Sequence, residues 1–223
     1  PLFAASTTIA AQEAGKSNAT VRAADKQNSV SPAESLMREH GAMSRLLIIY
    51  EEGARRLLAK EEASGEVFQS AAKLVRKFFE DHHVKIEEEL LFHQLIRRKL
   101  LNDTITVLTK QHEAGRKLTD SILQLSTPEP FSKSDQQEKL VAAMDAFVRM
   151  YRAHMAREET VFYPMLSKVY TTTELKSFSE QITAKENQLF GEDGFEKLLE
   201  EIVALEQKLK IEDLDHFTAR DAK

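Results

Sequence analysis

The fold is decided by residues 151–159, Tyr-Arg-Ala-His-Met-Ala-Arg-Glu-Glu, which place an imidazole and a carboxylate four residues apart. Residues i and i+4 lie on one face of an α-helix, one turn apart, so His154 and Glu158 are predicted to point at the same spot. Apolar residues continue the helical pattern on both sides of this stretch. They predict a helix from about Ser134 to about Tyr170.

A second stretch, residues 81–89, repeats the arrangement in an earlier helix. It reads Asp-His-His-Val-Lys-Ile-Glu-Glu-Glu, with His83 and Glu87 at the same spacing. The apolar residues around it predict a helix from Ser64 to about Leu101. Two such pairs on two helices indicate one shared site.

Two further helices complete the pattern. A capping sequence predicts the start of one helix at Ser31, and this helix should end near Lys60. The other is predicted from Thr104 to Leu125, before a proline-rich loop. Because short connections force antiparallel neighbours, the sequence predicts an all-α, up-down-up-down four-helix bundle over residues 32–170.

Composition agrees with a helical protein and narrows the possible functions. Seven Gly and five Pro in 223 residues suit long helices rather than a turn-rich β architecture. A net charge of -5, with acids and bases interleaved, argues against nucleic acid as a partner. No apolar run approaches the roughly 18 residues of a membrane span. Since the chain has no cysteine, any metal must be held by His, Asp and Glu.

The two ends of the chain are predicted to lie outside the bundle. Residues 1–31 are expected to form a disordered or extended arm, because residues 12–30 carry almost no large apolar side chains. The first residues are either the remnant of a signal segment, which would make the protein periplasmic or exported, or a plain arm on a cytoplasmic protein. The compartment therefore stays open.

Residues 171–223 are expected to form a C-terminal helical appendage. Its second helix carries a narrow apolar seam, formed by Phe195, Leu198, Ile202, Leu205 and Leu209. Packing of this seam on the chain's own bundle is favoured, and a homodimer through the seam is the alternative.

Four histidines fall one on each helix of the predicted bundle: His40, His83, His112 and His154. Residue counts from the helix ends place the first and third of these about 12 Å in from the same end of the bundle. The other two, with Glu87 and Glu158 one turn beyond them, reach a similar level. One His-x-x-x-Glu pair could arise by chance, whereas two pairs completed by two histidines at matched depth indicate a site.

The chemistry of this site points to metal ions. Buried ionised carboxylates need a counter-charge, and a metal ion supplies one. Without sulfur ligands, a set of imidazoles and carboxylates suits iron, manganese or zinc. Two carboxylates between two halves that each carry histidine favour a bridged pair of ions.

Four stretches carry the predicted site residues: 38–41 (Arg-Glu-His-Gly), 83–92 (His-Val-Lys-Ile-Glu-Glu-Glu-Leu-Leu-Phe), 111–116 (Gln-His-Glu-Ala-Gly-Arg) and 154–164 (His-Met-Ala-Arg-Glu-Glu-Thr-Val-Phe-Tyr-Pro). Together they resemble the hemerythrin-like HHE cation-binding domain family, over about residues 32–170. The resemblance implies a non-haem di-iron centre, with oxo or hydroxo bridging between the ions. It implies as ligands His40, His83, Glu87, His112, His154 and Glu158, with the two glutamates bridging.

The chain differs from the oxygen-carrying hemerythrins at two positions. Arg116 stands where those carriers have a second histidine on the third helix, and Glu158 stands where they have aspartate. Fewer protein ligands leave more positions for an exchangeable ligand. The resemblance therefore favours reaction with O₂, NO or peroxide over dedicated oxygen carriage.

Three functions follow from these predictions. The first is a di-iron protein that binds or senses a small diatomic molecule or peroxide. The second is a stress-defence enzyme that reduces peroxide or NO, or that donates iron for iron–sulfur repair. The third is a structural helical interaction module in which the metal is incidental. Only the first two require iron.

The remaining histidines are predicted to have minor roles. His82 is expected at the rim of the bundle or in solvent, because it lies about 100° round the helix from His83. His93 is expected to make a surface contact with Glu89, with a role as a spare ligand as the alternative. His216, in the polar tail, is expected to be solvated.

Four other polar residues lie near the predicted site. Tyr50 and Tyr151 are expected to pack in the core, and hydrogen bonding to the ligands or electron transfer is the alternative. Glu51 is either a surface acid or lines the site. Arg116 either neutralises a bound anion or pairs with a nearby glutamate.

Overall fold

The computed structural model describes residues 30–219, and this range is helical and contains no β-strand. Its helices are α1 (Pro32–Ala59), α2 (65–97), α3 (Asn102–Leu125), α4 (Pro128–Phe131), α5 (134–169), α6 (Thr172–Phe190) and α7 (Gly194–Leu209), followed by a 3₁₀ turn at Leu214–Phe217. The expectations for an N-terminal arm or signal remnant fall largely on residues 1–29, outside the described range. None of the described helices is both long enough and apolar enough to cross a membrane.

Helices α1, α2, α3 and α5 form the four-helix bundle, which confirms the predicted all-α fold. Helix α5 packs along α1 and α3, and α2 packs against the same two helices. The start of α1 is as predicted, since Ser31 Oγ accepts the N–H of Glu34. The proline-rich loop differs from the prediction, because Pro128 follows an extended Thr127 and begins one helical turn.

Helices α2 and α5 are irregular where they pass the centre of the bundle. Val75–His83 and Glu87–Phe92 of α2 are π-helical, and so is Glu158–Phe162 of α5. A π turn closes its hydrogen bonds between residues five apart, so it shifts the face on which later side chains lie. The apolar pattern, read at 3.6 residues per turn, did not reveal these segments.

Two apolar clusters lie on either side of a polar layer in the bundle. The larger cluster contains Met43 of α1 and Ile122 of α3, and the smaller one contains Leu36 of α1 and Leu108 of α3. Buried polar residues such as His40 of α1 and His112 of α3 lie between the clusters along their helices. Apolar packing therefore closes this layer from both directions.

The C-terminal helices pack on the bundle of the same chain. The five apolar seam residues of α7 are all buried, and α7 contacts α1 and α2. Arg45 of α1 donates two hydrogen bonds to the carboxylate of Glu206, at 2.8 and 2.6 Å. The favoured expectation for the seam is thus what the structure shows, and a homodimer through the seam has no support.

Gly53→Ala is expected to destabilise the protein, whereas Gly41→Ala in the same helix is expected to stabilise it. A Cβ atom at Gly53 would lie 2.2 Å from Cε1 of Phe68, a fully buried ring of α2. Separation of the two helices should cost about 1–3 kcal/mol. Gly41 has open space around its Cβ position. Alanine there should add about 0.5–1 kcal/mol to the free energy of unfolding.

Denaturant unfolding of both variants measures this difference. Equal changes in the free energy of unfolding for the two variants would show that α1 and α2 do not approach closely at Gly53.

Candidate metal centre

The six side chains predicted as ligands meet in the polar layer of the bundle. All six are buried: His40, His83, Glu87, His112, His154 and Glu158. Their possible ligand atoms form two groups, one of His40, His83 and Glu87, the other of Glu87, His112, His154 and Glu158. Within each group all the atoms lie within 4.8 Å of one another. The shared member, Glu87, makes the two groups adjacent sites.

Each glutamate lies between the two histidine pairs. Glu87 places Oε1 3.7 Å from His83 Nε2 and Oε2 3.5 Å from His112 Nε2. Glu158 places Oε1 3.0 Å from His154 Nε2 and Oε2 3.4 Å from His40 Nε2. The geometry is therefore compatible with two carboxylates that each contact two ions.

The outer nitrogen of every site histidine is held by a polar side chain. Carboxylate oxygens accept a hydrogen bond from Nδ1 of three of them. His40 donates to Glu159 at 3.0 Å, His83 to Glu39 at 2.9 Å and His112 to Glu88 at 3.0 Å. The fourth, Nδ1 of His154, lies 3.0 Å from the amide oxygen of Gln111. Because these oxygens are acceptors, they place the ring proton on Nδ1 and leave each Nε2 lone pair facing inward.

These four supporting residues follow a circular order around the bundle. Each is the chain neighbour of a ligand, but it supports the histidine of another helix. Glu39 of α1 supports α2, Glu88 of α2 supports α3, Gln111 of α3 supports α5, and Glu159 of α5 supports α1. The sequence could have revealed these four supporting residues, because each of them lies inside one of the quoted motifs.

Tyr163 is a site residue that sequence reasoning missed. Its hydroxyl donates a hydrogen bond to Glu87 Oε1 at 2.8 Å and lies 3.3 Å from His40 Nε2. In a regular helix, residue 163 would lie about 140° round from Glu158. The π turn at Glu158–Phe162 instead brings Tyr163 to the site face.

His82 was expected at the rim of the bundle or in solvent, and the second of these alternatives is wrong. His82 is buried, because the ring of Phe190 from α6 covers it edge-on at 5.3 Å between ring centroids. His82 Nε2 lies 3.8 Å from Glu39, on the outer side of that carboxylate. His93 and His216 are both exposed and lie outside the two ligand groups.

The other polar residues near the site have packing or surface roles. Tyr50 and Tyr151 are buried, and their hydroxyl groups have no hydrogen-bond partner among residues 30–219. Glu51 forms an exposed ion pair with Arg152. Arg116 pairs with Glu88 at 2.9 Å, so it acts on the support of His112. It thereby fits the second of the two expectations for Arg116.

Burial controls the protonation of the site. Burial is the largest cause that lowers the pKa of His40 to about 2, of His154 to about 3 and of His112 to about 4. Burial raises the pKa of Glu87 and Glu158 well above their usual range. Without an added cation, the layer therefore disfavours charge on most of these groups.

His83 is the exception among the site histidines. Burial alone would lower the pKa of its imidazole, but the negative charges of Glu87 and Glu39 outweigh burial and raise it. The two carboxylates thus favour a positive charge on the His83 imidazole, which lies between them.

Unsatisfied atoms show that the residues fit metal ions. Both carboxylate oxygens of Glu158 and Oε2 of Glu87 are buried without a hydrogen-bond partner in the described part of the chain. The inward nitrogens of His40 and His83 lie 3.1 Å apart, and those of His112 and His154 lie 3.0 Å apart. When both nitrogens of a pair are unprotonated, their lone pairs repel at this distance, and a cation beside each pair removes the repulsion and satisfies the oxygens.

A small cavity adjoins this cluster. It has a volume of about 10 Å³ and lies against His40, His83 and His154, with Met43, Phe79, Val84, Tyr151 and Met155 around it. This volume corresponds to about one water-sized molecule. The walls opposite the histidines are mostly apolar. Because the volume is so small, any ligand held there is small.

Comparisons with known proteins agree with this geometry. The Hemerythrin HHE cation binding domain family matches residues 31–166, and the chain belongs to this family. Uncharacterized proteins of Mycobacterium tuberculosis and Mycobacterium bovis are 37% identical over 189 residues, which covers 85% of this chain and 74% of theirs. No solved structure matches the chain. The family and the buried His/Glu cluster together support metal binding.

Metal binding at neutral pH is expected to release protons. Glu87, Glu158 and His83 have raised pKa values, so they hold protons to a higher pH than usual, and metal ions bind only the deprotonated groups. Affinity should therefore fall as the pH falls. Titration calorimetry with Fe²⁺ in buffers of different ionisation enthalpy measures the number of protons released. Binding without proton release would contradict the raised pKa values.

Gln111→Leu is expected to weaken metal binding without removing a ligand. The substitution leaves Nδ1 of His154 without its acceptor, and loss of such a support typically costs about 10–100-fold in affinity. Gln124→Leu makes the same change at an exposed position of α3 and serves as the control. Competition with a chelator measures both affinities. Equal affinities would show that Gln111 does not orient His154.

Proposed function

We propose that this protein is a non-haem di-iron protein that binds a small ligand such as O₂, NO or peroxide. The observation that carries the proposal is the pair of buried ligand groups that share Glu87, in a layer whose carboxylate oxygens lack partners. Such an arrangement is costly for a helical bundle unless cations occupy it. A purely structural role would not require it.

The residues divide naturally between two ions. His40 and His83 would hold one ion, His112 and His154 would hold the other, and Glu87 and Glu158 would contact both. Imidazole and carboxylate donors suit iron, and they also suit manganese and zinc. Iron is the proposed metal because four-helix bundles with this donor set commonly hold two iron ions.

The number of donors favours an exchangeable ligand. Each ion would receive two imidazoles and one oxygen from each glutamate, which leaves about two positions of an octahedral ion for other ligands. Arg116 adds no donor, since its guanidinium pairs with Glu88. Iron in such positions supplies redox chemistry with small oxygen and nitrogen species. The small cavity beside His40 and His154 limits the ligand to a few atoms.

The chain's own residues would control the ligand in three ways. Apolar residues above and below the layer exclude bulk water. Three supporting carboxylates and the amide oxygen of Gln111 keep each Nε2 lone pair directed inward. The hydroxyl of Tyr163 lies against the His40 and Glu87 group, where it can donate a hydrogen bond to an oxygen-containing ligand.

A second candidate function is a stress-defence enzyme that consumes peroxide. The observation that favours it is the Tyr163 hydroxyl, since a positioned O–H group can pass a proton to a reacting oxygen. Stopped-flow mixing of the reduced, iron-loaded protein with O₂ or peroxide separates the two functions. A stable adduct supports ligand binding, and repeated turnover supports the enzyme.

Metal analysis and optical spectroscopy test the proposal directly. Protein purified in air is expected to contain about two irons per chain and to show oxo-to-iron charge-transfer absorption that disappears on reduction. A fully folded protein that takes up no iron, even after reconstitution with Fe²⁺, would refute the di-iron proposal. Stoichiometric uptake of manganese or zinc alone would correct the metal.

His83→Ala and His154→Ala are each expected to lower the bound iron well below two per chain, because each removes a buried donor of one ligand group. His93→Ala and His216→Ala remove exposed imidazoles outside these groups and should leave the iron content unchanged. Iron per folded chain, from elemental analysis after gel filtration, provides the measurement. The same iron content in all four variants would refute the ligand assignment.

A further inference from the structure

A mostly apolar pocket of about 350 Å³ lies at the end of the bundle where α1 begins. Its walls include Pro32 and Met37 of α1, Leu166 of α5 and Leu175 of α6, and among the described residues that line it Glu159 is the only charged one. Met37 is 43% exposed, so this side of the pocket opens to solvent. Neither the cluster of ligands nor the fold of the bundle requires a space of this size here.

Two wall residues of the pocket also belong to the metal centre. Tyr163 lines the pocket, while its hydroxyl lies 2.8 Å from Glu87 Oε1 and 3.3 Å from His40 Nε2. Glu159 lines the pocket and accepts from His40 Nδ1 at 3.0 Å. The side chain of Tyr163 thus separates the pocket from the ligand group that contains His40 and His83.

Two other pockets lack this connection. The groove of about 690 Å³ between α1 and the C-terminal segment is lined by seven Arg and Glu side chains together with four apolar ones, and it contains no ligand of the centre. The depression of about 230 Å³ beside His82 has charged walls, among them Asp81, Lys85 and Lys185, and also contains no ligand. The apolar pocket combines walls that suit an uncharged molecule with direct contact to the site.

We propose that this pocket is the entry route by which a small uncharged molecule, such as O₂ or NO, reaches the centre, and that Tyr163 is its gate. The inference rests on the proposed function, because it assigns a route to the ligand of that site. Apolar walls favour uncharged molecules over hydrated ions. The carboxylate of Glu159 at the inner end would repel anions.

The local backbone favours movement of the gate. Tyr163 lies between the π turn Glu158–Phe162 and Pro164, which has no N–H to donate to the helix. Regular helical hydrogen bonding is therefore interrupted on both sides of this tyrosine. Rotation of its ring requires the loss of the hydrogen bond to Glu87, and this bond holds the gate closed.

The rate of NO binding to the reduced, iron-loaded protein tests the route. Met37→Trp and Ser167→Trp place a large ring at exposed edges of the pocket without touching a ligand, and each should slow association by about tenfold. Dissociation should slow by the same factor, because a narrowed route changes neither end state. Tyr163→Phe keeps the ring but releases it from Glu87, and it should speed association.

Two controls carry the same aromatic change elsewhere. Val107→Trp alters an exposed position of α3, and Leu189→Trp fills the depression beside His82. Both should bind NO at the unaltered rate. If the Met37→Trp and Ser167→Trp proteins hold two irons and bind NO as fast as these controls, the route is refuted while the di-iron proposal stands. Unchanged or slower association in Tyr163→Phe would refute the gate.

A metal-free measurement keeps the inference independent of the iron. Xenon is an uncharged probe of apolar pockets, and its ¹²⁹Xe NMR shift should show saturable binding to the metal-free chain. Met37→Trp should abolish this binding, and Val107→Trp should not. A chain that holds no iron would refute the proposed function. Xenon binding that Met37→Trp leaves unchanged would refute the entry route through this pocket.

Discussion

The structure depends on two carboxylates that the bundle buries without satisfying them. Glu87 and Glu158 have no exposed surface, and three of their four oxygens lack a hydrogen-bond partner in the described residues. Taking an ionised carboxylate out of water costs several kcal/mol, and a neighbouring carboxylate adds to that cost. Burial of the apolar clusters on both sides offsets the free-energy cost of burying these carboxylates. Bound cations would remove that cost. Metal binding and folding stability are therefore linked in this chain.

The circular order of supporting residues explains how four helices hold one set of atoms. Each helix contributes a ligand and, at the adjacent position, the residue that orients the histidine of another helix. A rotation or slide of one helix would therefore displace its own ligand and release a histidine elsewhere. Such coupling fixes the register of all four helices at the level of the site, where accurate positions matter most.

The sequence predicted the parts of the site that follow regular helical spacing. The pairs His83–Glu87 and His154–Glu158 keep the i,i+4 relation. His112 and His40 were predicted from their matching depth along antiparallel helices. Tyr163 could not be found this way, because a π turn changes the spacing of the face. Solvent exposure of His82 was predicted wrongly because of a tertiary contact. Phe190 of α6 covers a surface that the four-helix bundle alone leaves open.

The two halves of the centre are chemically unequal, although their imidazoles match in number. The His40–His83 half is oriented by two carboxylates, whereas the other half is oriented by the neutral Gln111 and by Glu88, whose charge Arg116 shares. A carboxylate partner makes an imidazole a stronger donor than an amide partner does. The Tyr163 hydroxyl and the apolar pocket lie on the side with the stronger donors. The same half thus combines two carboxylate-supported imidazoles, a hydrogen-bond donor and the apolar pocket, so under the proposed function the exchange of a small ligand should centre there.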